Sequence, residues 1–165
     1  MRQIADAGRR PNGFRTMQST DLRLSEIETF EVKAERRGTK KHTSWSIGLA
    51  PEEEEGTSAR VVFGTLHAYG ENGGGEVLIA GLVSYPEGAY PDTSTVQAAM
   101  KESDTAEVLY DAARLVLGAA LALTDVPLRL PRRAPKAKFG VLKRLEEAQA
   151  EDDDREMADS SNEQQ

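Results

Sequence analysis

The hydrophobic pattern of the chain is dominated by one stretch, Ser103 to Thr124. Its polar side chains Glu107, Asp111 and Arg114 recur three or four residues apart, and Gly118 continues their line, so they share one narrow stripe of a helix. Leu109, Ala113, Val116, Ala120 and Leu123 follow one flank, and Val108, Ala112, Leu115, Ala119 and Ala122 the other. Ala and Leu favour helix. Ser103 or Asp104 caps the start, with Glu107 placed to complete a capping box with Asp104. A helix apolar nearly all round is buried on more than one side, and a chain of 165 residues has little else to surround it. A second subunit is therefore expected on part of it, with Ala112, Leu115, Ala119, Ala120 and Ala122 at the interface. Its uncharged run, Leu115 to Thr124, is too short for a bilayer, which needs roughly 20 residues.

Ahead of this helix the period changes from 3.6 to two. Asp21 to Arg37 reads as a long strand in which Leu22 and Leu24 alternate, as do Phe30, Val32 and Ala34, with Ile27 out of phase between them. That break predicts a bulge near Glu26 to Glu28. After a polar turn at Gly38 to Lys41, His42 to Ala50 places Trp45, Ile47 and Leu49 on one face and Ser44, Ser46 and Gly48 on the other. One wet face fits an antiparallel sheet. Ser58 to Tyr69 and Glu76 to Tyr85 carry apolar residues on both faces, which marks inner strands or a sheet covered twice. Between them Gly70-Glu71-Asn72-Gly73-Gly74-Gly75 reads as a hairpin turn; a phosphate-binding loop would be followed by a helix instead of another strand. Ser94 to Lys101 forms a short helix or turn. Leu128 and Leu130 sit in a connector punctuated by Pro127 and Pro131, and Phe139 to Ala150 resumes helical spacing through Phe139, Leu142 and Leu145.

The expected fold class is thus α+β: a four-stranded antiparallel sheet, a long apolar helix and a second C-terminal helix. Leu, Ile, Val and Phe total 33 of 165 residues, which borders on the disordered range, but they are unevenly spread. Residues 1–20 supply only Ile4 and Phe14, and residues 146–165 supply none. Residues 1–20 are read as a flexible arm, 21–150 as the folded domain, and 151–165 as a disordered acidic tail.

The net charge of −7 hides an asymmetry. Residues 129–144 carry Arg129, Arg132, Arg133, Lys136, Lys138, Lys143 and Arg144 with no acid, whereas residues 146–165 carry nine acids against Arg155. The basic run lacks interleaved aromatics apart from Phe139 and adjoins this acidic run, which argues against nucleic acid. The acidic run reads as solvating, or as a docking or self-screening element for its basic neighbour.

Little in the chain points to catalysis. Cysteine is absent, which excludes disulfides and Cys-based zinc sites. His42 and His67 have no ligand partners at metal spacing, no serine sits in a Gly-x-Ser-x-Gly elbow, and Glu52 to Glu55 lack the flanks of a calcium loop. The expectation is a protein without catalytic residues, metal or cofactor. The N-terminal residues show no apolar signal run, so a cytoplasmic location with no membrane association is expected.

The order of elements resembles the SecB-like export-chaperone family over about Asp21 to Asp154. Val108-Leu109-Tyr110-Asp111-Ala112-Ala113-Arg114 is similar to the opening of that family's first long helix, Leu128-Arg129-Leu130-Pro131 to its connector, and Phe139-Gly140-Val141-Leu142 to the opening of its last helix. The Gly-rich turn and the acidic tail also fit. The resemblance implies a homo-oligomer, a tetramer or a dimer, that acts as a holdase and binds unfolded or non-native protein without ATP. Its clients would be proteins in transport or one dedicated partner. They would lie in a groove to which Trp45, Ile47, Phe63, Phe139, Leu142 and Leu145 contribute. The competing expectation is an oligomeric structural or assembly protein that uses the same helix and binds no client.

Overall fold

The structure, a computed structural model, describes residues 22–51, 59–86 and 92–141. The strands are β1 (Arg23–Glu35), β2 (His42–Leu49), β3 (Ala59–Gly70), β4 (Gly73–Ser84) and β5 (Lys138–Val141). Helices α1 (Thr93–Glu102) and α2 (Thr105–Leu123) lie between β4 and β5 in sequence. Together the strands form one sheet in the order β1-β4-β3-β2-β5.

Strands β1 to β4 pair antiparallel, as period-two patterning predicts, but β5 joins β2 in parallel, with Ser46, Ile47, Gly48 and Leu49 opposite Lys138 to Val141. The sheet is therefore five-stranded and mixed, not four-stranded and antiparallel. The cause is the chain's route. From Leu128 to Ala137 it runs as irregular chain punctuated by Pro127, Pro131 and Pro135, bends at Arg132 and Arg133, passes back along α2, and arrives beside the open edge of β2 pointing the same way as β2. Backbone pairing there overrides the helical spacing of Phe139 and its followers, so no helix begins at Phe139. The rest of the expected final helix, with Leu142 and Leu145, lies outside the described residues, as do the expected flexible arm and acidic tail.

One sheet face carries both helices. Trp45, Ile47 and Leu49 of β2, Val62 and Leu66 of β3, and Val77, Ile79 and Val83 of β4 face Leu109, Tyr110, Ala113, Leu117 and Leu121 of α2, with Val96 and Met100 of α1 completing the core. The buried Arg60 donates to the Ala50 carbonyl and, at 3.0 Å, to the Thr93 hydroxyl, which ties the start of α1 to the sheet. At the other end Arg36 Nε donates to the Thr124 carbonyl at 2.8 Å, a cation placed at the C-terminus of α2.

The expected capping box on α2 does not form. Ser103 Oγ accepts from the Thr105 amide at 3.3 Å, and Asp104 makes no side-chain cap. Glu107 instead accepts from the Ala134 amide, 3.1 Å from Oε1 and 3.3 Å from Oε2. Tyr110 donates its hydroxyl to the Pro131 carbonyl at 2.8 Å. These bonds latch the 128–137 segment, hereafter the strap, to the helix while Leu128, Leu130, Ala134 and Ala137 pack against the core.

Candidate functional site

The sheet face opposite the helices carries the clearest candidate site. Alternation along β3 turns Val61, Phe63, Thr65, His67 and Tyr69 to this face, and the register brings Leu82, Ala80, Leu78 and Glu76 of β4 beside them. Strand β1 adds Phe30 through a local irregularity. Its ladder slips between Ser25 and Glu28 and again between Thr29 and Glu31. The first slip matches the phase break at Ile27, and Glu26 there has φ 51°. The second was not anticipated. It leaves Val32 and Ala34 paired with Val77 and Gly75 on the helix side while Phe30 meets Phe63 on the outer face.

Phe30 and Phe63 pack edge to face, with centroids 5.9 Å apart and planes at 70°. They meet across β4, where Ala80 is only 6 % exposed although no helix covers that side among the described residues. Phe30 itself is 61 % exposed. Next to Phe63 the face sinks into a depression of about 430 Å³, bordered by Ser46, Gly48, Thr65, Leu78, Lys138 and Gly140. Its depth has a simple cause. Gly48 and Gly140 are register partners on adjacent strands, so two side chains are missing side by side. The volume falls within the usual range of about 300–1,000 Å³ for ligand pockets, and its surroundings suit an apolar side chain with a cation, Lys138, at the rim.

Beyond the apolar part the same face becomes charged. Lys33 Nζ lies 2.7 Å from Glu31 and 3.3 Å from Glu76, and His67 Nδ1 lies 3.1 Å from the second Glu76 oxygen. The two glutamates hold the Lys33 ammonium above its ordinary pKa through hydrogen bonds and charge. The Tyr69 phenol is pushed up by burial first, then by Glu76 and Glu35, and the His42 ring stacks on Tyr69 with centroids 6.1 Å apart. Among the described residues no three His, Asp or Glu side chains cluster to hold a metal.

The residues expected to share a groove do not share a face. Trp45 and Ile47 are 1 % exposed in the core. The Phe139 ring is also on the helix side, under the Lys101 ammonium at 4.8 Å from its centroid, and it borders, with Trp45, a separate cleft of about 570 Å³. Of the described residues in that set, Phe63 alone turns its side chain to the outer face; Ile47 and Phe139 border the outer depression but point away from it. Phe30, Leu78, Gly48 and Gly140 were not anticipated, because a bulge and a long-range parallel pairing bring them together.

A second apolar surface runs along α2. Val108, Leu115 and Leu123 are exposed, Leu115 by 66 % and Leu123 by 88 %, with Ala119 and Ala122 also exposed and Ala112 and Ala120 half-buried. The sheet thus covers only one side of the helix. No helix among the described residues is long and apolar enough to cross a membrane.

No protein-family model matches the sequence, and no characterised relative matches it either. Among solved structures, the fold is similar to that of a Mycobacterium tuberculosis SecB-like chaperone in complex with a peptide from the HigA1 antitoxin. The TM-score is 0.51 and the identity 18 %, over 68 % of this chain and 88 % of that one. The chain's fold is therefore similar to the SecB-like fold.

Proposed function

We propose that this protein is an ATP-independent holdase that takes up unfolded or non-native polypeptide on the outer face of its sheet. The observation that carries this reading is the uncovered apolar strip of Phe30, Phe63 and Leu78 beside the Gly48–Gly140 depression, on a sheet whose other face carries the two helices and the core. Contiguous apolar surface of this kind marks interaction sites in folded proteins. An extended segment would lay side chains into the depression. The peptide complex of the SecB-like neighbour supports a polypeptide as the occupant. Phe63 is the central contact, and Leu142 and Leu145 remain proposed contributors from beyond Val141. Binding by burial alone needs no cofactor, metal or catalytic residue, and the location proposed is the cytoplasm.

The exposed stripe of α2 favours assembly as well. Ala112, Leu115, Ala119, Ala120 and Ala122 would pack against a second copy, giving a dimer or tetramer. Small residues there permit close approach of helices. If client binding fails while assembly holds, the protein is an oligomeric assembly protein.

The deciding experiment is suppression of aggregation of a chemically unfolded model protein, without ATP, followed by light scattering. Suppression at near-stoichiometric ratios is expected. If no unfolded chain binds in titrations up to about 100 μM, weaker than about −5.5 kcal/mol, the holdase reading falls.

A further inference from the structure

The strap and the start of β5 present a row of charge of which only the last member, Lys138, borders the proposed client site. Arg129, Arg132, Arg133, Lys136 and Lys138 are all exposed, and no acid interrupts them in sequence. Among the described residues none of the five takes part in an ion pair. The row has a defined shape, because Leu128, Leu130, Ala134 and Ala137 are packed inward and the strap is latched at Pro131 and Ala134. The segment bends at Arg132 and Arg133, so the row covers less than the roughly 30 Å of a fully extended run at about 3.3 Å per residue. Like charges fixed in line repel one another and raise the local concentration of anything acidic. The matching partner is an extended polyanion.

The chain carries such a segment. Residues 146–165 hold nine acids against Arg155, with Asp152, Asp153 and Asp154 consecutive. They follow closely on β5, whose first residue, Lys138, is also the last cation of the row. From Val141 to Asp153 the chain reaches up to about 40 Å when extended, enough to turn back along the strap. A tethered segment acts at an effective concentration near the millimolar range, ahead of free polyanions at micromolar levels.

We infer that the acidic run 146–165 docks on the basic strap of its own chain and covers it. The strap itself, 128–137, lies along α2, and only Lys138 at the end of the row reaches the rim of the outer depression, so the inference stands apart from the holdase reading. Its consequence is that the row stays closed to nucleic acids and other polyanions.

The test uses the full chain with Ser161→Cys, the sole cysteine, carrying a nitroxide. Amide signals of 129–138 should broaden at about 10 mM salt, where the Debye length is about 30 Å, and recover at about 1 M, where it is about 3 Å. They should also recover at low salt when Asp152→Asn, Asp153→Asn, Asp154→Asn and Glu156→Gln are combined in the full chain. That variant should bind a fluorescent single-stranded oligonucleotide at least ten-fold tighter than the unmodified protein. Sharp strap signals at low salt, or equal oligonucleotide affinity, overturn the inference. Broadening of unlabelled molecules mixed with labelled ones overturns docking within one chain in favour of exchange between copies.

Discussion

Trp45 on β2 and Tyr110 on α2 meet edge to face, with ring centroids 5.5 Å apart and planes at 73°, at the centre of the buried layer. The benzo edge of Trp45 occupies the space above Gly64 of β3, where a Cβ would collide with its Cη2 atom. The hydroxyl of Tyr110 continues outward to the Pro131 carbonyl. One aromatic pair therefore joins the sheet, the long helix and the strap that delivers β5.

Gly64→Ala tests the first of these joints. The added methyl meets the Trp45 ring, which packs on Tyr110, and also crowds Leu109; overpacking of this kind costs about 1–3 kcal/mol. Urea unfolding followed by the fluorescence of Trp45, the single tryptophan, should show a lower midpoint with an unchanged slope. A midpoint equal to that of the unmodified protein would mean that the ring moves aside freely.

Tyr110→Phe removes the latch and should cost about 0.5–1.5 kcal/mol, with faster amide exchange around Ala134. Burial pushes the Tyr110 phenol above its ordinary value of 10.0, Arg114 pulls it back less, and Glu107 and Asp111 add to the rise. The folded state therefore holds the phenol proton longer than the unfolded state does. This contribution to stability is complete below about pH 10 and is lost as pH rises through the folded value. The stability gap between unmodified protein and variant should shrink above pH 10; a constant gap would contradict this.

Leu115→Glu tests assembly. The side chain is 66 % exposed in the single chain, so folding should survive, but an unpaired carboxylate in a helix–helix interface is costly. Light scattering should report a smaller particle than the unmodified oligomer, and Ala119→Glu should act alike. An unmodified protein that is already monomeric at micromolar concentration removes the assembly proposal.

Client binding is tested by filling the depression. A Cβ on Gly140 meets nothing within 4 Å, so a side chain can begin there without a clash, and Gly140→Leu is placed to fill the depression. Melting should be unchanged, while the concentration needed to suppress aggregation rises about ten-fold, equivalent to about 1.4 kcal/mol. Phe30→Glu should give a similar loss from the other side of Phe63. Full activity in both variants would move the client site elsewhere.

By itself the sequence determined the local elements and much of the sidedness. Period-two alternation marked β2, whose one apolar face meets the core, and apolar residues on both faces marked β3 and β4 as inner strands. The all-round apolar pattern from Ser103 to Thr124 matched α2, Thr105–Leu123, and also indicated that one sheet would leave some of it uncovered, as Leu115 and Leu123 now are. The break at Ile27 marked the first irregularity of β1. Only the tertiary structure decided the rest. Phe139 has helical spacing with Leu142, yet Lys138–Val141 became a strand because the strap delivers it to an open edge whose backbone groups need partners. Phe30 shares a period with Val32 and Ala34, yet a second slip turns it to the opposite face, and alternation is blind to a one-residue insertion. Glu107 stands at capping-box spacing but serves the Ala134 amide. Its choice depended on which donor the fold brought close, and a donor 27 residues away leaves no mark on local spacing.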